Sequence, residues 1–166
     1  MSVRPVLRLP HDVLTRPAAP CGALDAELLA LAVDLEETMR VSPGCVGLAA
    51  PQIGVARRAF VIDVTGHRKA VSCHGTVVLF DPELISYSGA ELAREGCMSV
   101  PDLTGDVPRP TEVVVRGITP AGEPRVVEAD AFEARALLHE LDHLDGKLFL
   151  DRVPGPSAVF QRRVYK

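Results

Sequence analysis

Tryptophan is absent from this chain, and aromatic residues make up only 4% of it. Nor is there an excess of basic residues: 18 Lys and Arg stand against 22 Asp and Glu, for a net charge of −4 and a pI of about 5.7. That balance advertises no surface for nucleic acid or for an anionic membrane. No stretch approaches the roughly 18 consecutive apolar residues of a membrane helix. Met1-Ser2-Val3-Arg4-Pro5 also lacks the apolar segment of a secretion signal, so a cytoplasmic location is expected. There the four cysteines, Cys21, Cys45, Cys73 and Cys97, would stay reduced. No two of them form a C-x-x-C pair, which argues against a zinc ribbon.

What is present fits a single globular domain spanning all 166 residues, with 47% hydrophobic and 24% charged residues. The proline-rich opening through Pro20 reads as an extended arm with one short turn. Leu24, Leu28, Leu31, Leu35 and Met39 repeat at helical spacing, with Asp25 as N-cap and Pro43-Gly44 as terminator. Residues 44–54, rich in Gly and Ala, read poorly as helix or strand; taken alone they are expected to be an ordinary connecting loop, slightly ahead of one that lets a ligand or another chain come close. Strands are expected at Ala59–Val64, at Val77–Phe80 closed by Asp81-Pro82, and at Leu84–Tyr87. Between the first two lies a polar excursion with His67, Cys73 and His74, whose spacing matches no common ligand pattern. Residues 102–112 are expected to form a proline-punctuated loop, and Val113–Ile118 and Arg125–Glu128 a hairpin. A helix over 131–145 follows, with Asp130 as N-cap, Glu133 completing a capping box and Gly146 as C-terminal stop. A short polar tail begins at Pro154.

The last helix carries the chemistry. His139-Glu140-Leu141-Asp142-His143 sets two imidazoles at i and i+4, on one face, where both can reach a single metal ion. Glu140 lies between them and is free to move a proton. A third ligand must come from elsewhere, and Cys97, in Glu95-Gly96-Cys97-Met98-Ser99, is the candidate.

Together with Gly47-Leu48-Ala49-Ala50-Pro51-Gln52, these two stretches resemble, in order, the three motifs of the peptide deformylase family. The resemblance covers about residues 4–153 and implies an α+β fold, antiparallel sheets packed around a central helix that carries the H-E-x-x-H. It implies a metal-dependent hydrolase that removes the formyl group from the N-terminal formyl-methionine of nascent polypeptides. Cys97, His139 and His143 would bind the metal and leave a fourth position for water. Glu140 would act as general base and then acid, and Gln52 with the Met98 backbone N–H would stabilise the oxyanion. Val46 and Gly47 would pair with substrate backbone, and Phe132, Arg135 and Ala136 would line the methionine pocket. The implied ion is iron(II), with zinc, nickel or cobalt able to replace it in purified protein. The partners are N-formyl-Met peptides, with no nucleic acid or membrane, and the chain is expected to be a monomer, a dimer being left open.

Three positions depart from the family pattern or sit oddly in it. Cys45 stands where a further glycine is usual, at a strain of roughly 1 kcal/mol if φ there is positive. Leu138 replaces a glutamine and would remove a hydrogen bond near the first histidine. Arg135 is a cation in an apolar pocket. These motivate one rival, a deformylase-like hydrolase of another formylated or acylated small substrate. A metalloprotease of the H-E-x-x-H class would instead need a downstream ligand, and no histidine follows His143. A non-catalytic binding protein that kept the fold is the third alternative.

Overall fold

The computed structural model describes residues 3–162. Its elements run α1 (Ala26–Val41), β1 (Gly47–Ala49), β2 (Ala59–Ile62), β3 (Val77–Ser88), β4 (Glu91–Cys97), β5 (Val100–Arg109), β6 (Glu112–Ile118), β7 (Pro124–Asp130), α2 (Ala131–Leu144) and β8 (Val159–Gln161), with short 3-10 turns between some of them. The strands form two antiparallel sheets, one of five strands in the order β1-β2-β3-β6-β7 and one of three in the order β4-β5-β8. This is the α+β architecture expected.

Why the five-stranded sheet sits between two helices can be read from β2. Its four residues are all buried, and because side chains alternate across a strand, Phe60 and Ile62 join the cluster with Leu137, Leu138 and Leu141 of α2. Ala59 and Val61 join the opposite cluster with Leu28, Leu31 and Leu35 of α1. A strand covered on both faces reads as a continuous apolar run, as this one does. A third cluster, with Cys97, Val107 and Phe149, fills the small sheet.

The helix ends divide between expectation and surprise. Asp25 caps α1, its carboxylate accepting from Leu28 N at 2.8 Å. Gly146 takes the left-handed φ of +75° after α2. Asp130 makes no such cap on α2; its carboxylate accepts from Ser72 N, and Glu133 accepts from Ser72 Oγ and His74 N instead of closing a capping box. The polar excursion is thus tied to the start of α2, and its other groups go to separate partners. His67 stacks on Phe132 at 3.8 Å, and Cys73 Sγ lies 3.5 Å from Thr65 Oγ1.

Four expected boundaries change. Strands expected at 77–80 and 84–87 are one strand, β3, which passes Asp81-Pro82 through a bulge: Asp81 takes φ +48° and its carboxylate accepts from Cys21 N and Gly22 N. Part of the expected loop at 44–54 is strand β1, followed by a 3-10 turn. The expected loop over 102–112 is largely β5; β8 pairs only with Leu103–Gly105, so Pro108 has a partner on the β4 edge alone and Pro101 on neither. β8 itself replaces part of the polar tail; Arg163 to Lys166 lie outside the described residues. Among those residues no helix is long and apolar enough to cross a membrane.

Candidate active site and metal centre

The β4–β5 hairpin turns at Met98-Ser99, directly beside Cys97, and so presents that thiol to the face of α2 that carries His139 and His143. The donor atoms of Cys97, His139 and His143 lie within 4.8 Å of one another. Cys97 Sγ is 3.3 Å from His143 Nε2, and both residues are buried. Burial alone would raise the Cys97 thiol, but His143 and His139 outweigh it and hold it well below its ordinary value. One thiolate and two imidazoles are the donors a tetrahedral metal site with one open position requires, so the residues fit the expected ion.

Glu95 fixes His139. Its Oε1 lies 2.9 Å from His139 Nδ1, which leaves Nε2 for the metal. The same carboxylate accepts from Arg109 Nη2 at 2.9 Å and from Arg135 Nη1 at 2.7 Å. Burial pushes Glu95 up, yet these hydrogen bonds win and hold it well below the usual carboxylate range. Arg109 reaches on to Asp142, which Arg152 also holds at 2.9 Å. The first motif residue therefore orients a ligand through a buried ion network, a role the motif alone did not assign. A glutamate next but one to a candidate thiolate was the available signal.

Glu140 is different, being buried and, at Oε1, without a hydrogen-bond partner among the described residues. Burial pushes its carboxyl up, with His139 and His143 opposing and Cys97 reinforcing. Glu140 Oε2 lies against Gly47, where an added Cβ would come within 2.6 Å of it. Gly47 is glycine because the general-base candidate occupies the space of its side chain.

Gln52 is locked with its oxygen toward Ala49 N at 3.0 Å and its Nε2 toward Ser99 Oγ at 3.1 Å and Cys97 Sγ at 3.6 Å. A cavity of about 270 Å³ joins these parts. Val46, Gly47, Gln52, Met98, Phe132, Arg135, Ala136, His139 and Glu140 all line it, so every substrate-contacting candidate from the sequence meets in one place.

The comparisons with known proteins agree. The family model described as polypeptide deformylase matches residues 3–158. Peptide deformylase 1 of Bacillus subtilis (strain 168) is 41% identical over 153 residues, covering 92% of this chain and 91% of the relative. The chain belongs to the peptide deformylase family. A solved deformylase from Legionella pneumophila superposes with a TM-score of 0.85 at 37% identity, covering 95% of this chain and 89% of that one. The Acinetobacter baumannii deformylase solved with Met-Ala-Ser bound gives 0.84 at 34% identity, over 92% of this chain and all of that one. This deformylase is thus a hydrolase with a potential metal site at Cys97, His139 and His143.

The three unusual positions now have physical accounts. Positive φ falls on Gly44, not on Cys45, so the cysteine carries no backbone strain. Its Sγ donates to Gly47 O at 3.1 Å, and burial pushes the thiol up to about 11. Leu138 packs in the apolar cluster of α2, where a glutamine would bury an amide. Arg135 does not snorkel to the rim; besides Glu95 its guanidinium donates to Val107 O and Glu91 O, each at 2.8 Å, and braces the hairpin against α2.

Proposed function

We propose that Cys97, His139 and His143 hold iron(II), and that Glu140, Gln52 and the Met98 N–H work around it to deformylate N-formyl-methionyl peptides, nascent chains included. The observation that carries this assignment is the buried Glu140 carboxylate, unpaired at Oε1 and pressed against Gly47 beside the three converging donors. When bound, the ion supplies Lewis acidity that polarises the formyl group and makes water a nucleophile at neutral pH. Zinc, nickel or cobalt(II) suits the same donors in purified material.

Glu140 takes a proton from the attacking water and delivers it to the departing amine nitrogen, so that formate and a free N-terminus result. The pKa raised by burial suits both halves of that task. Gln52 Nε2, held in place through Ala49 N and Ser99 Oγ, and the Met98 N–H donate to the oxyanion that develops on the formyl oxygen. β1 is an outer strand of its sheet, so Val46 and Gly47 can pair with an extended peptide as an added strand. Phe132, Ala136 and the stem of Arg135 accept the methionine side chain.

An anaerobic assay with formyl-Met-Ala-Ser, paired with metal analysis, tests this. Turnover should require the ion, and Glu140→Gln should lower kcat by about 10²- to 10⁴-fold with metal content unchanged. Equal turnover of a formyl peptide lacking methionine would overturn the assigned pocket.

A further inference from the structure

Three arginines line the candidate catalytic cavity: Arg94, Arg135 and Arg162. Two of them are committed. Arg94 pairs with Asp106 at 2.9 Å and lies over the Phe160 ring at 3.9 Å. Arg135 is held by Glu95 and two carbonyls. Arg162 is not: among the described residues no carboxylate and no carbonyl accepts from its guanidinium, although its backbone N–H donates to Asp102 O at 2.9 Å and so fixes where the side chain starts.

That anchor has a consequence. β8 pairs with Leu103–Gly105 of β5, and β5 pairs with β4, so the Arg162 backbone stays beside Asp102 while its side chain reaches across β5 to Gly96 of β4. A Cβ built on Gly96 would collide with Arg162 Nη2. The guanidinium therefore lies against Gly96, the exposed residue next to the candidate ligand Cys97, in the cavity that Val46 and Gly47 also line.

We propose that Arg162 is a substrate-positioning residue, whose guanidinium grips a carboxylate on the residues just downstream of the formyl-methionine. That carboxylate is an Asp or Glu side chain in a long chain and the C-terminal group in a tripeptide. A guanidinium presents a planar fork of donors that matches a carboxylate, and no acid among the described residues pairs with this one. The inference rests on the deformylase assignment of the same cavity.

Steady-state kinetics on the iron-loaded enzyme, prepared without oxygen, tests it with formyl-Met-Ala-Ser, its C-terminal amide, and the amide of formyl-Met-Asp-Ser. The native protein should prefer each carboxylate-bearing peptide by about fivefold, through KM and not kcat, as befits a solvent-facing ion pair. Arg162→Ala should collapse that preference to within twofold, Arg162→Lys should restore part of it, and added salt should erode it in the native protein alone. A preference for only one of the two carboxylate peptides would identify which source is read. Titration with the products Met-Ala-Ser and Met-Ala-Ser-amide reads the same grip without turnover. An unchanged kinetic preference in Arg162→Ala would overturn the proposal, as would equal affinities for the two products together with equal turnover of the amides of formyl-Met-Asp-Ser and formyl-Met-Ala-Ser. Loss of all turnover with the product preference intact would instead overturn the catalytic assignment.

Discussion

At the scale of single residues, the site is defined as much by a missing side chain as by those present. Gly47→Ala places a methyl where Glu140 Oε2 now lies, so the carboxylate must swing aside. A displacement of about 1 Å in a catalytic group is worth about 100-fold in rate, so kcat should fall by that order while bound metal, measured by elemental analysis, stays stoichiometric. Retention of full activity would mean that Glu140 has no need of this space. The shared face of His139 and His143, with Glu140 between them, was legible in the sequence because that spacing follows directly from helix geometry, whereas Cys97 was legible only as the candidate in the second motif. Glu95 was not, because what it does depends on Arg109, Arg135 and His139 arriving from three other places in the chain. The notion of Arg135 as a pocket anomaly failed for the same reason, since a buried cation is explained only by its acceptors.

At the scale of elements, two polar junctions hold helices to sheets. Glu95 joins β4, β5 and α2 through charges that are all but excluded from solvent. Glu95→Gln leaves Arg109 and Arg135 short of countercharge and should destabilise the fold by about 3–5 kcal/mol in chemical denaturation. It should also weaken metal binding by about 10- to 100-fold in competition with a chelator, because His139 loses its orienting acceptor. The second junction is Asp63, at the end of β2, which Arg40 of α1 meets at 2.8 Å and which accepts from Thr65 N and Thr76 Oγ1 at 2.9 Å each. Burial would raise this carboxyl, but the bonds from Thr65, Arg40 and Thr76 prevail and hold it at about 2. Its stabilising contribution is therefore complete above the unfolded value of 3.8 and is lost as pH falls toward 2. Against Asp63→Asn, the native protein should gain on the order of 1 kcal/mol at pH 7, and the gap should close near pH 2. A gap independent of pH would place the effect in packing.

Elements with a clear apolar pattern were readable: α1, α2 and the β6–β7 hairpin, and β2 as a continuous apolar run, stand close to where the sequence put them. The misjudged segments share a cause. β5 carries two prolines and a glycine, which read as a loop until β4 and β8 supply pairing on either side. β3 survives Asp81-Pro82 only because Asp81 finds backbone donors sixty and fifty-nine positions away in sequence. Such partners are long-range, and local propensity cannot see them.

For the molecule as a whole, the candidate metal centre would be a bond between its two sheets. Cys97 belongs to the small sheet, and His139 and His143 to the helix packed on the large one. Occupancy should therefore stabilise the entire fold by mass action. At an ion concentration 100 times Kd, the melting temperature should rise by roughly 5–10 °C over chelator-treated protein. No shift would mean that the ion does not link the two parts. The cage nevertheless owes its shape to Glu95, Arg109 and Asp142, whose bonds to one another do not involve the ion. Such a cage would let one ion leave and another enter without the chain refolding, so that occupancy would become a matter of exchange rate and supply. The same polypeptide would carry whichever divalent ion its surroundings last offered, and its activity would record that history.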